Sequence, residues 1–295
     1  MSHNQHIIPN KSIFIQFLEI YMLRVMLTSF LSSLICISTA YAKDIVVSGS
    51  TSVTRVMDVL AETYNKTHPD SYIAVQGVDS TAGIILATKG VADLGMSSRY
   101  LTEAELSKDL TMTTIAHDGI AIAANIKNPV SNLTTEQLTQ IYQGKITNWK
   151  QVGGEDKGIA VVTREVSSGS RYSFESLLGL TKIINGHLVS NTSPKILVVN
   201  SNGMMKALIN HNPQAIGFIS MGSLDNSIKA ISFNNIKPTS ANISSGEYKL
   251  SRPFLVVQKK DRQDKPIESF LAFIVSPEGQ KIIIDYGYTP TKFSH

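Results

Sequence analysis

K-D-I-V-V-S-G-S-T-S-V-T-R-V-M-D-V-L-A-E-T-Y-N-K, residues 43–66, is the stretch that decides the fold. Its first part, Lys43 to Ser48, predicts a short apolar strand. Gly49-Ser50-Thr51-Ser52 then makes a turn. Beyond it the apolar residues fall at Val53, Val56, Met57, Leu60, Ala61 and Tyr64, the spacing of one face of a helix that runs to Lys66. His68-Pro69-Asp70 ends that helix, since proline often follows a helix end.

The same unit recurs downstream. Tyr72 to Val75 predicts a strand, Gly77 to Thr81 a second hydroxyl-bearing turn, and Ala82 to Lys89 a helix closed by Gly90. Val91 to Met96 predicts a third strand ending in Ser97-Ser98-Arg99, and Leu101 to Lys108 a helix. Alternating strand, turn and helix argues for an α/β fold with a largely parallel sheet. Ligands of such sheets bind beyond the carboxyl ends of the strands. The turns at Ser50-Thr51, Ser80-Thr81 and Ser97-Ser98 all fall at such ends, and right-handed crossovers bring them to one edge.

Further on, Ile115 to Asn125 is a long apolar run broken by His117-Asp118-Gly119. It reads as a strand that leaves one domain and enters another. Thr134 to Tyr142 predicts a helix with Thr134 or Thr135 as its cap, and Trp149 follows in a loop. Ile196 to Val199 and Gln214 to Ser220 predict strands around a helix from Gly203 to Asn210. Ser227 to Gly246 reads as polar and irregular. Leu250 to Gln258 contains a strand able to cross back, and Pro266 to Val275 and Pro277 to Asp285 are the closing helices.

Between these elements lies R-E-V-S-S-G-S, Arg164 to Ser170. It joins the β-branched run Ile159 to Thr163 to a helix expected from Arg171 to Leu180. Free N–H groups and hydroxyls at such a helix start favour an anion, and Arg164 adds a planar fork suited to an oxyanion. The same residues also suit an ordinary capped turn.

The chain has 295 residues, of which 42% are hydrophobic, and a formal net charge of +4. That mild positive balance weakly favours anionic ligands, while the lack of a basic run interleaved with aromatics argues against nucleic acid. Residues 1–42 read as an N-terminal extension and signal peptide. Arg24 precedes an apolar stretch from Val25 to Ile37, and S-T-A-Y-A at 38–42 is a small-residue cleavage signal, so the cut is expected after Ala42. The stretch is shorter than the roughly 18–20 residues a membrane span needs. Met22 or Met26 is a plausible true start. The single cysteine, Cys36, lies in that segment, so the mature chain is expected to carry no disulfide, thiol metal site or cysteine nucleophile. Leu34 and Ile35 before it make a poor lipoprotein signal. No H-x-x-x-H or D-x-D cluster supplies metal ligands, and neither a metal nor a cofactor is expected.

The motifs in order are S-G-S-T-S at 48–52, Q-G-V-D-S-T-A-G at 76–83, D-L-G-M-S-S-R at 93–99, D-G-I-A at 118–121, L-T-x-E-Q-L at 133–138, G-K-I-T-N-W at 144–149, R-E-V-S-S-G-S-R at 164–171, A-I-G-F-I-S at 215–220, S-P-E-G-Q-K at 276–281 and G-Y-x-P at 287–290. Together they resemble the substrate-binding proteins of bacterial phosphate ABC transporters over essentially all of Lys43 to Pro290.

The resemblance implies a two-lobed type II periplasmic-binding-protein fold, each lobe a mixed sheet flanked by helices, joined by a two-strand hinge. It places the hinge near Gly119 to Ala123 and near Arg252 to Val256. Lobe 1 is then 43–120 plus 255–295, and lobe 2 is 121–254. The implied function is high-affinity binding of inorganic phosphate in the periplasm and its delivery to membrane permease subunits by a monomer, with no catalysis. The alternatives are a receptor for another tetrahedral oxyanion, sulfate or molybdate, and a phosphatase-type enzyme.

Carried over by position, Thr51 and Ser52 match the first-turn ligands, with Ser50 beside them, and Ser80 matches a second-turn hydroxyl donor. Arg164, Ser168, Gly169 and Ser170 match the arginine and turn of the second lobe, with serine replacing threonine at 170. Ser98 stands where some members carry an aspartate able to accept the proton of phosphate, which sulfate cannot offer. Asp118 is the expected replacement, or else a hinge carboxylate paired with a backbone N–H. Asp79 is second, or a turn-stabilising residue. Arg99 is expected to screen the anion or to pair with Glu103 at i,i+4.

Overall fold

A computed structural model of the chain describes residues 20–26, 43–106, 108–185, 187–262 and 264–291. Most of the expected signal peptide, including the cleavage point and Cys36, lies outside the described residues. Residues 20–26 are helical and belong to a unit separate from the body that begins at Lys43. Among the described residues no helix is long and apolar enough to cross a membrane.

The body opens as its first stretch dictates. β1 (Lys43–Ser50) leads into α1 (Thr51–Thr67), whose face of Val53, Val56, Met57, Leu60, Ala61 and Tyr64 is buried. Burying each of the larger side chains is worth about 1.5–3 kcal/mol, which outweighs the modest helix propensity of the valines and threonines. β2 (Ser71–Val78), α2 (Ser80–Thr88) and β3 (Leu94–Ser97) repeat the unit. β1 pairs in parallel with both β2 and β3. The helix expected over 101–108 shrinks to α3 (Glu103–Leu106), which buries no residue and so gains little from packing.

β4 (Leu110–Asn125) is longer than its apolar run and organises the rest. With β6 (Ala160–Arg164), β9 (Leu197–Val199), β10 (Ala215–Ser220) and β12 (Ser251–Lys259), the main sheet among the described residues has 11 strands, in the central order β2-β1-β3-β12-β4-β10-β6-β9. β12 runs antiparallel to both β3 and β4. β10 is antiparallel to β4 and parallel to β6. The sheet is therefore mixed, as the family resemblance implies, and not largely parallel as the strand–helix alternation alone suggests, because β12 and β10 both run antiparallel to the long strand β4.

Two further departures have local causes. β11 (Ile228–Phe233) and a short helix, Ser240–Ser244, occupy the segment that read as irregular. In β11 Ile228, Ile231 and Phe233 are buried, with the less buried Lys229, Ala230 and Ser232 between them. α4 (Thr135–Tyr142) forms with Thr134 as its cap, whereas α5 (Gly169–Leu177) ends short of the expected Leu180 and is followed by an antiparallel hairpin, Thr181–Ile184 with His187–Ser190, that the sequence reading did not assign. Gly179 at φ 64° stops the helix, the left-handed conformation that glycine tolerates.

The apolar residues separate into distinct cores. One gathers Ile45, Val56, Met57, Leu60, Ile115, Phe254, Phe270 and Ile283. Another gathers Ile120, Ile122, Leu138, Tyr142, Trp149, Phe174, Phe218 and Tyr248. Between Ala116 and Ile120 β4 passes from the first core to the second, and Asp118 on β4 pairs in register with Arg252 on β12.

Candidate anion-binding site

Helix starts build the site. Ser50, Asp79 and Ser168 are the N-caps of α1, α2 and α5, and their side chains accept from the N–H groups of Ser52, Ala82 and Arg171. Capping explains the choice of these residue types. It also leaves first-turn N–H groups and the positive helix ends directed at common ground. Asp79 is thus the turn-stabilising residue of its two readings, with Oδ1 2.8 Å from Ala82 N.

The hydroxyls from separate elements meet. Ser50 Oγ donates to Ser98 Oγ at 2.9 Å, Ser80 Oγ lies 3.3 Å from Ser98 Oγ, and Ser52 Oγ lies 3.1 Å from Ser170 Oγ. Ser98 N donates to Ser80 Oγ at 3.0 Å. Across the gap between the cores, Thr81 N donates to Ser167 O at 3.3 Å and Ser173 Oγ to Ser98 O at 3.2 Å. Gly169 sits so tightly here that a β-carbon would stand 2.8 Å from Ser98 Oγ and closer still to Ser80 Oγ. The structure brings together Ser50, Thr51, Ser52, Ser80, Ser98, Asp118, Arg164, Ser168, Gly169 and Ser170, with Ser168 acting as a cap.

Two buried guanidinium groups give the site its charge. Arg164, at the end of β6, donates from Nη2 to Asn200 O at 2.8 Å and to Thr51 Oγ1 at 3.3 Å. Its Nε and Nη1 are buried with no hydrogen-bond partner among the described residues. Leaving charged donors unmade in an interior is costly. Burial, then the nearby charge of Arg252, pushes the Arg164 guanidinium down to about 10. Among the described residues no carboxylate forms an ion pair with it.

Arg252 is compensated. Its Nη2 and Nε lie 2.8 and 3.1 Å from Asp118 Oδ2, and both side chains are buried. It also donates to Ser170 Oγ at 2.7 Å, Ser52 Oγ at 3.1 Å and Ser98 Oγ at 3.3 Å. Burial pushes the Asp118 carboxyl above its ordinary range, against the opposing pull of Arg252. Asp118 Oδ1 accepts from Met221 N at 3.1 Å. The hinge-carboxylate arrangement is therefore present, with an arginine partner the sequence reading did not assign.

Arg252 is a charged member of this cluster that sequence reasoning left out of the site, having placed it only as a hinge position. The signal was a lone cation inside S-R-P-F-L-V-V, where an unpaired charge in an apolar strand would be untenable. Asn202, which donates to Ser52 Oγ at 2.9 Å, was also missed. Arg99 differs from expectation: it holds Glu105, not Glu103, with Nη1 and Nη2 each 2.8 Å from a carboxylate oxygen. Arg99 precedes α3 and is not part of it, so i,i+4 geometry does not apply. Its guanidinium also lies 5.1 Å from the Tyr172 ring centroid, a cation–π contact across the gap.

The donor-rich set fits a tetrahedral oxyanion. Among the described residues no cluster of His, Cys, Asp and Glu could hold a metal ion.

Known proteins agree with this architecture. The family model for the PBP superfamily domain matches residues 37–278. An ABC-type phosphate transport receptor from Vibrio cholerae is 60% identical, with a TM-score of 0.71, over 84% of this chain and 100% of that one. A Clostridium perfringens phosphate ABC transporter substrate-binding protein with bound phosphate is 38% identical, with a TM-score of 0.80, over 85% of this chain and 100% of that one. The phosphate-binding protein PstS of Borreliella burgdorferi is 32% identical over 254 residues, covering 85% of this chain and 91% of its own. The fold is the two-lobed type II periplasmic-binding-protein fold. The chain belongs to the PBP superfamily and, within it, to the phosphate-binding protein family represented by these relatives.

Proposed function

We propose that the protein binds inorganic phosphate in the periplasm and delivers it to the permease subunits of a phosphate ABC transporter. The observation that carries this reading is Arg164, a buried cation with Nε and Nη1 unpartnered in a ring of hydroxyl donors. An oxyanion on that edge would satisfy both nitrogens and supply the missing counter-charge. Charge-assisted hydrogen bonds of about 1.5–3 kcal/mol each make a micromolar or tighter dissociation constant, about −8 kcal/mol, attainable after desolvation and closure are subtracted.

In this reading lobe 1 is 43–120 plus 255–295 and lobe 2 is 121–254, with β4 and β12 as hinge strands. Ser50, Thr51, Ser52, Ser80 and Ser98 would face Arg164, Ser168, Gly169 and Ser170, and closure over the anion would be the state the permease reads. The protein acts as a monomeric carrier and not as an enzyme, for the site has donors but no activated nucleophile.

A second reading, a receptor for sulfate or another tetrahedral oxyanion, is favoured by one feature. Ser98 occupies the position where some members carry an aspartate, and Asp118 already accepts from Arg252 and Met221. Calorimetry with phosphate and sulfate tests both. Preference for phosphate supports the first reading, and equal affinity sinks it.

A further inference from the structure

Arg252 has no N–H left for an anion. A guanidinium offers five N–H donors. Nε–H goes to Asp118, the Nη2 pair to Asp118 and Ser52, and the Nη1 pair to Ser98 and Ser170. This contrasts with Arg164, whose Nε and Nη1 have no partner among the described residues.

The contacts fix the direction of the neighbouring hydroxyls. A serine hydroxyl has one proton and two acceptor lone pairs. Ser52 Oγ accepts from Arg252 Nη2 and Asn202 Nδ2, so its proton goes to Ser170 Oγ. Ser170 Oγ then accepts from Ser52 and from Arg252 Nη1, and its own proton is left over. On the other side Ser98 Oγ accepts from Arg252 Nη1 and from Ser50 Oγ, so its proton goes to Ser80 Oγ. Ser80 Oγ also accepts from Ser98 N, and its own proton is left over. Two relays start at Arg252 and end in free O–H donors, and a β-carbon on Gly169, the residue before Ser170, would overlap Ser80 Oγ.

We infer that Arg252 is a positioning residue for anion binding: by filling acceptor lone pairs on Ser52, Ser98 and Ser170 it leaves the protons of Ser80 and Ser170 as the ones the site donates. Asp118 holds the guanidinium in place. This rests on the proposed function, and it deepens it by assigning the site's donor polarity to a residue that does not touch the anion.

The test is a coupling cycle between Arg252 and Ser80, which share no direct contact in the structure. Inorganic phosphate is titrated calorimetrically into the wild type, Ser80→Ala, the pair Arg252→Met with Asp118→Asn, and the triple variant. Replacing both charges avoids leaving one buried alone, and asparagine keeps the acceptor for Met221 N. Ser80→Ala is expected to weaken binding at least about tenfold in the wild type and less than about threefold in the pair variant, a loss of coupling that a purely structural role would not produce. Equal losses in both backgrounds overturn the inference. If the pair variant does not fold, Arg252→Lys serves as the background, since one ammonium cannot serve three serines and Asp118 at once, and the same two outcomes apply. A wild type that takes no phosphate overturns the proposed function and this inference together. A binding wild type with additive losses overturns the inference alone.

Discussion

Gly169 lies where any β-carbon would overlap the Oγ of Ser80, although the two residues belong to different helices on opposite sides of the gap between the cores. That approach requires glycine for space, and it ties residue 169 to the closed arrangement. Gly169→Ala should weaken phosphate binding at least about tenfold, or 1.4 kcal/mol, by obstructing closure. The melting temperature of anion-free protein should stay within a few degrees. A variant that binds normally would show that the gap closes some other way.

Tyr172 and Arg99 make a second contact over the same gap. Tyr172→Leu removes a cation–π interaction worth about 0.5–2 kcal/mol without touching the serines. Phosphate dissociation followed by stopped flow should quicken by less than about thirtyfold, with little change in association rate. No change in dissociation rate would remove this contact from the account of closure.

Arg164 predicts a pH limit. Its guanidinium is lowered to about 10 by burial and by Arg252. The attraction it offers an anion is fully present below that value and is lost as pH rises through it. Phosphate affinity measured from pH 8 to 11 should fall above about 10, with the fold monitored by circular dichroism. Affinity that stays flat across this range while the protein remains folded would show that Arg164 keeps its charge in the site and would contradict the lowered value.

His117 lies on β4 opposite Pro253 and Thr289, and burial lowers its imidazole below the ordinary 6.5. A depressed folded value means that stability is present above the unfolded value and is lost as pH falls. Thermal melts should therefore show a decline below about pH 6.5 that His117→Gln flattens. An unchanged slope in the variant would assign the decline to other groups.

Local signals made much of this molecule legible. The helical stripe from Val53 to Tyr64 and the hydroxyl turns at Ser50, Ser80 and Ser168 are written within a few residues, and periodicity and capping chemistry read them. The Arg164 turn was legible for the same reason. The role of Arg252 was not, because it depends on pairing with a residue 134 positions away. The mixed sheet was implied by the family resemblance and not by the strand–helix alternation, since the antiparallel pairing of β12 with β4 is set by tertiary contacts that no local pattern encodes. β11 was hidden because Lys229, Ala230 and Ser232 separate Ile228, Ile231 and Phe233 without a strict alternation of apolar and polar residues.

The central claim is that Arg164 holds phosphate with its unpartnered edge. The most direct measurement is calorimetric titration of phosphate into anion-stripped wild type and Arg164→Met. Removing about two charge-assisted hydrogen bonds of 1.5–3 kcal/mol each should weaken binding at least about a hundredfold, while the melting temperature of the anion-free protein stays nearly unchanged because a desolvated charge leaves with the side chain. The account predicts micromolar or tighter one-to-one binding by the wild type and that loss in the variant. Binding by Arg164→Met within about tenfold of the wild type, 1.4 kcal/mol, would contradict it.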